Sequence, residues 1–245
     1  MKRLELIAVQ GLSEVRPGDD LGRMIHEHAT LQTGDVVVVA QKVVSKAEGR
    51  LIALAEVTAG EEAVRIARRL IARPDPRMVQ VVLDESVRVL RSDRVLITET
   101  RHGYVCANSG VDHSNVGAAG IVTLLPLDPD ASADHLRSRL RELAGVEVGV
   151  IVSDTFGRPW RLGIVNVALG LAGLPALVDL RGTDDDDGLP LHATVLAIAD
   201  DIASSAGLVM GKTARTPAVV VRGLSLHGVG SGRELIRPAD EDLFR

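Results

Sequence analysis

The chain has 245 residues, of which 46% are hydrophobic and 2% aromatic, with a net charge of −5 and one cysteine, Cys106. That length and apolar content allow a substantial core, the acidic balance gives no nucleic-acid footprint, and a lone cysteine excludes an intrachain disulfide framework. No apolar run reaches the roughly 18 residues of a membrane span, and Met1-Lys2-Arg3 leads into an alternating segment and not a signal-peptide core, so the expected setting is the cytoplasm, without a membrane partner.

With so few aromatics, the core must be built from Val, Leu, Ile and Ala, which suits sheets covered by helices. Leu4 to Val9 reads as a first strand, and Gly11 to Asp20 as a loop of Gly, Pro and acids. Leu21 to Leu31 has helical spacing. Val36 to Ala40 is a wholly apolar strand, and Gln41 to Gly49 leaves it carrying Lys42, Ser45, Lys46 and Glu48. Gly60 to Ala72 predicts a helix stopped by Pro74 and Pro76. Short β segments follow at 84–90, 95–100 and 104–107, then a Gly/Asn/Ser loop from Asn108 to Gly120. A strand is predicted at 122–127. A helix is predicted at 129–144, entered through Asp130 or Ser132, and a buried strand at 146–152 that stops at Ser153-Asp154-Thr155. Asn166 to Gly173 is small and apolar, either helix or buried segment. Asp184 to Asp187 reads as a solvated loop, Leu191 to Ala206 as a helix, and Pro217 to Gly223 as a last strand. Strand pairs with occasional helices indicate an α+β fold, with mixed sheets and flanking helices, in place of a regular βαβ array.

Several loops at strand ends carry compatible chemistry. Asp112, Asp154 and Thr155 are hard oxygen donors suited to magnesium or manganese. Asn115 offers an amide, and Lys46 a point charge suited to polyphosphate. Arg158 and Arg161, in Gly157-Arg158-Pro159-Trp160-Arg161, suit a carboxylate or phosphate clamp. Each residue type also has a plainer use: Asp112 and Asn115 as turn formers, Lys46 in solvent, the arginines in ion pairs, His26, His28 and His113 at the surface, Cys106 as a small core residue. Gly207-Leu208-Val209-Met210-Gly211-Lys212-Thr213 imitates a P-loop but has three residues between its glycines where the motif needs four. Its helix also precedes the loop, which turns the helix amino end away from any phosphate.

Read together, these segments resemble the F420 γ-glutamyl ligase family, the coenzyme F420-0:L-glutamate ligases of deazaflavin coenzyme biosynthesis. The carriers are Gly11-Leu12 with Arg16-Pro17-Gly18-Asp19-Asp20-Leu21, Gly34-Asp35, and Lys42-Val43-Val44-Ser45-Lys46-Ala47-Glu48-Gly49-Arg50. The rest are Gly110-Val111-Asp112-His113-Ser114-Asn115, Ser153 to Arg161, Val209-Met210-Gly211 and Val221-Arg222-Gly223. The resemblance implies a single domain over residues 1–245 of two interleaved lobes, paired in an intertwined homodimer, without the nitroreductase-like domain fused to some bacterial members. It implies GTP contacts at Leu12, Ser13, Glu14, Val15, Gln41, Lys46, Asn115, Gly211, Lys212 and Thr213. Asp112 and Asp154 would share one Mg2+ or Mn2+, with Thr155 on a second, and K+ as a further ion. Three departures stand out: Lys212 where archaeal members often present an acid, Gln41 where a hydroxyl residue is common, and Gly163-Ile164-Val165-Asn166 in place of a Gly-Gln-Thr-Asp type segment.

The implied reaction is phosphorylation of the acceptor's terminal carboxylate by GTP, followed by attack of the L-glutamate amine on the acyl phosphate. Later rounds would extend a γ-linked tail. Arg158 or Arg161 would steady the acyl phosphate or an acidic substrate. Such chemistry needs positioning and charge neutralisation more than a protein nucleophile. The same carboxylates would also serve a metal-dependent phosphohydrolase acting on a nucleotide, and a GTP-binding regulatory module is the non-enzyme alternative.

Overall fold

The computed structural model describes residues 3–113, 120–211 and 215–242. In chain order the regular elements are β1 (Glu5–Ala8), α1 (Leu21–His26), β2 (Val36–Ala40), α2 (Gln41–Ala47), β3 (Leu51–Ala53), α3 (Glu61–Arg69), α4 (Pro76–Asp84), β4 (Ser86–Arg91), β5 (Ile97–Thr100), β6 (Val105–Ala107) and β7 (Ile121–Thr123). They continue with α5 (Pro129–Ala144), β8 (Gly149–Arg158), β9 (Arg161–Ala172), β10 (Val178–Asp179), β11 (Val195–Leu196), α6 (Ile198–Met210) and β12 (Ala218–Arg222).

Five strands form a mixed sheet in the order β1-β12-β2-β8-β9. β2 and β8 run parallel, with Ala40 beside Ser153, and the other neighbours are antiparallel. β2 has four valines because both its faces are covered. Val37 and Val39 pack with Ile25 of α1 and Ala133, Leu136 and Leu140 of α5. Val36 and Val38 point to the other face, against Ala199, Ile202, Ala203 and Ala206 of α6. The period of two along a strand puts alternate valines on opposite faces, and helices close both.

Residues between β2 and β8 build a second hydrophobic centre. Ile66, Leu70, Val79 and Val82 of the α3–α4 pair pack with Leu96, Val111, Val122 and Leu124. A two-stranded ladder, β3 with β7, and a three-stranded sheet, β4-β5-β6, border it. Tyr104, Leu125 and Leu169 join the two centres, with the Tyr104 hydroxyl donating to the Leu169 carbonyl.

The expected mixed sheets and flanking helices are present, with several local corrections. Pro76 does not stop a helix but starts α4, at a first-turn position where its missing N–H is no loss, and Asp75 caps it by accepting from Arg77 N. α1 ends at His26, and the strand predicted at 122–127 ends at Thr123. α5 is capped by Asp128, which accepts from Ala131 N at 3.1 Å. Asp130 instead accepts from Leu171 N and Gly232 N, tying α5 to β9 and to the C-terminal segment.

β8 does not stop at Asp154. It runs on to Arg158 and returns as β9, making one long hairpin whose turn places Trp160 at φ 62°. The 166–172 segment is therefore strand, and Gly173 lies just past it. At Gly170 an added Cβ would lie 2.1 Å from the Pro129 carbonyl carbon, so the close approach of α5 requires glycine. α6 begins at Ile198 and not Leu191, because Val195 and Leu196 pair with β10. The four aspartates are exposed, as expected of a solvated loop. His26 is half-buried, and its Nδ1 is a buried nitrogen with no hydrogen-bond partner. No described helix is long and apolar enough to cross a membrane.

Candidate active site

The β2–α2 junction positions most of the charged groups. Ala40 ends β2 and Gln41 opens α2 without a side-chain cap, so the chain turns directly from buried strand to helix. Along α2, Gln41 and Ser45 share a face, and Ser45 Oγ donates to Gln41 Oε1 at 2.8 Å, both residues buried. Gln41 is thus turned into the interior. Lys42 and Lys46 are four apart and reach two different acids.

Lys42 Nζ lies 2.6 Å from Asp112 Oδ2. The Asp112 backbone is itself held in a two-way bridge, N–H to the Thr123 carbonyl at 3.1 Å and carbonyl from Thr123 N–H at 2.8 Å. Asp112 therefore sits on a fixed edge of β7, with one carboxylate oxygen already on a cation. Lys46 Nζ lies 2.5 Å from Glu14 Oε1, its side chain only 7% exposed, so Lys46 does not stand in solvent. A buried ammonium is a compact charge with three donors, suited to phosphate oxygens. The loop bearing Glu14 alternates: Val15 is buried and Leu12 packs against the same core, while Ser13 and Glu14 face outward.

Asp154 follows Ser153, the residue beside Ala40 in the parallel pairing, so it emerges at the same sheet end as α2. α2 packs against both β8 and β7, which places Asp112 and Asp154 on elements flanking one helix. β6, which carries Cys106, packs against β8, which carries Asp154. Burial first, and then the negative charge of Asp154, push the Cys106 thiol up to about 12, while a backbone hydrogen bond with Gly110 acts the other way. Cys106 is the buried core residue expected. Thr155 pairs with Asn166 across the hairpin and is half-buried.

Arg158 and Arg161 are not beside Asp154. Arg158 is four residues further along the strand, about 13 Å at the usual strand rise, and the two arginines face each other at the tip. Arg158 donates to the Leu162 carbonyl at 2.5 Å and keeps a buried Nε with no hydrogen-bond partner, while Arg161 is exposed. Gly211 closes α6 with φ 55°. Asn115, Lys212 and Thr213 lie outside the described residues. Lys42, paired with Asp112, is the candidate-site residue that sequence reasoning passed over as a participant. Its spacing to Lys46 on a strand-following helix was the available signal.

The donor set fits a hard divalent cation. Asp112, Asp154 and Thr155 offer oxygen only, and Lys42 shows that Asp112 already attracts positive charge. Among the described residues no group of three His, Cys, Asp or Glu forms a complete cage. Two carboxylates and a hydroxyl leave coordination positions to be filled by phosphate oxygens and water, as is usual for magnesium.

A family model described as F420-0:Gamma-glutamyl ligase matches residues 11–223. This chain belongs to that family. It is 49% identical over 239 residues to a coenzyme F420:L-glutamate ligase of Methanopyrus kandleri, covering 95% of this chain and 94% of the relative. Similar ligases from Archaeoglobus fulgidus and Methanothermobacter thermautotrophicus are 45% and 42% identical, each over 99% of this chain and 97% and 99% of the relative. The matched span of the F420-0:γ-glutamyl ligase family takes in the Glu14 loop, α2, Asp112 and the β8–β9 hairpin.

Proposed function

We propose that this chain uses GTP and a divalent cation to join L-glutamate to coenzyme F420-0 through an acyl phosphate. Membership of the family makes it a γ-glutamyl ligase of coenzyme F420 biosynthesis. The observation that supports the finer reading is the clustering, around one sheet end, of a buried lysine (Lys46), a cation-seeking carboxylate (Asp112) and a second carboxylate (Asp154).

Roles follow from position. Lys46, a buried positive charge, would hold nucleotide phosphate, with Glu14 orienting it. The family resemblance, not position, would put Ser13, Asn115, Gly211, Lys212 and Thr213 on the nucleotide, while Leu12 and Val15 would fix the loop and Gln41 would brace α2 from inside. Asp112 and Asp154 would hold the Mg2+ or Mn2+, with Thr155 toward a second ion. When bound, the cation supplies neutralisation of phosphate charge. Buried positive groups lower the repulsion that an approaching carboxylate meets at a polyphosphate, and positioning supplies much of the remaining rate.

The hairpin arm carries Arg158 and Arg161 beyond their own Asp154. Its tip exposes Trp160 by 86% and Leu162 by 97%. A homodimer of two-lobed protomers, each chain a single domain over 1–245, would cover that apolar tip and bring the arginines to an acidic substrate. Mass spectrometry of coenzyme F420-0 incubated with the protein, GTP, Mn2+ and L-glutamate tests the reading. Products heavier by glutamyl units, with GDP formed in step, are expected. Phosphate release without added glutamate would instead indicate nucleotide hydrolysis.

A further inference from the structure

A second charged recess shares no lining residue with the Lys42–Asp112 and Lys46–Glu14 pairs. It is a cavity of about 290 Å³ lined by Arg50, Glu85, Arg101, His102, Leu127 and Arg233. Its lining sets three guanidinium groups against one carboxylate. The recess is therefore positive in a chain whose net charge is −5.

The wall is held in place by the fold. Arg50 donates through Nη2 to Glu85 Oε2 at 2.8 Å and through Nε to the Leu125 carbonyl at 3.0 Å. Arg101 Nη2 donates to the Asp84 carbonyl at 2.7 Å. His102 Nε2 meets the carbonyls of Pro126 and Leu127 at 2.9 and 3.1 Å. Carbonyls only accept, so Nε2 carries the proton, and the ring is further fixed by stacking on Tyr104 at 5.5 Å. Arg233 forms the open side, with its guanidinium 3.8 Å from Asp128 and its side chain 75% exposed.

Arg50 and Arg101 are each fixed by a carbonyl and carry further N–H donors, the fork that suits carboxylate and phosphate oxygens. Leu127 adds an apolar wall for a carbon skeleton. We propose that this recess binds a small molecule through its oxyanion group, a carboxylate or a phosphate, at a site separate from the nucleotide. The proposal does not depend on the ligase reading. That reading does supply two natural probes, since L-glutamate and inorganic phosphate are small oxyanions of the reaction.

Calorimetric titration of the full chain, without GTP or metal and at constant ionic strength, tests it with each probe separately. At least one probe is expected to saturate. Arg101→Ala with Arg233→Ala should weaken that binding about tenfold or more while leaving GTP binding unchanged. Arg65→Ala with Arg68→Ala, on the exposed side of α3, controls for general surface charge and should leave it unaltered. Saturation by glutamate alone assigns a carboxylate site, by phosphate alone a phosphate site, and by both a shared oxyanion site. Saturation by neither, or equal loss in both double variants, overturns the proposal. If the Arg101/Arg233 variant does not fold, the ring resonances of His102 in the unaltered chain decide: a saturable shift supports the site and no shift overturns it.

Discussion

Lys42 and Asp112, seventy positions apart in the chain, meet at 2.6 Å. The contact joins α2 to the edge of β7 and puts a positive charge where the proposed cation would also bind. Two unit charges near a protein surface at 4 Å interact by about 4 kcal/mol at an effective dielectric of 20, and the ammonium opposes a divalent ion still more. Lys42→Met should therefore tighten Mn2+ binding in the absence of nucleotide, read by titration of the free ion. Its cost to folding should stay within about 1 kcal/mol, because Asp112 is partly exposed and water screens the pair. Unchanged or weaker Mn2+ binding would show that the lysine does not compete.

Asp154→Asn keeps the shape and removes the charge. If Asp154 holds the cation, the loss is several kcal/mol of transition-state stabilisation, about a hundredfold or more in ligation rate. Product formation with GTP, Mn2+ and L-glutamate measures it, with a thermal melt to confirm folding. Undiminished ligation would remove Asp154 from the cation site.

Cys106 is buried and its thiol is pushed up to about 12 from 9.0. Iodoacetamide should therefore label the native chain slowly at pH 8 and rapidly after unfolding, since the thiolate is the nucleophile. The sign for stability follows. Below pH 9 both folded and unfolded thiols are protonated and the group is neutral in the balance. Between pH 9 and about 12 only the unfolded thiol ionises, so stability falls as pH rises through that window. Cys106→Ser should flatten that alkaline decline, which urea midpoints across pH 8 to 11 would show.

Arg222 of β12 reaches Asp35 with two bonds, Nε to Oδ1 at 2.8 Å and Nη2 to Oδ2 at 2.7 Å. Asp35 is buried and also accepts from Gln32 N at 2.7 Å. Arg222→Met leaves that carboxylate buried with no cation, at a cost of about 3 kcal/mol or more. A drop in melting temperature without change in the slope of denaturant unfolding is the expected result. Loss of under about 1 kcal/mol would mean that water replaces the guanidinium.

Elements whose local pattern and burial agree were legible from residues alone. β2 shows it: four valines admit only a strand covered on both faces. The helix at 129–144 was legible for the same reason, with Pro129 at its start and Gly145 in the left-handed conformation at its end. The misreadings share a cause. Ser153-Asp154-Thr155 looks like a strand end because polar residues usually face water, yet pairing with β9 carries the strand five residues past Ser153. Leu191 to Ile198 has helical spacing, yet pairing with β10 takes Val195 and Leu196.

The motifs along the chain were enough to point to the family and to the chemical type of the candidate site residues, because hard oxygen donors, lysines and arginines carry their chemistry wherever they are placed. What the sequence left open is which of them meet. Lys42 with Asp112 and Lys46 with Glu14 are long-range contacts, brought about by the way α2 leaves β2 and packs against β8 and β7. The separation of Arg158 from Asp154 is likewise a matter of strand length and register. Side-chain type is local and can be read one residue at a time, whereas proximity depends on the whole arrangement of buried strands.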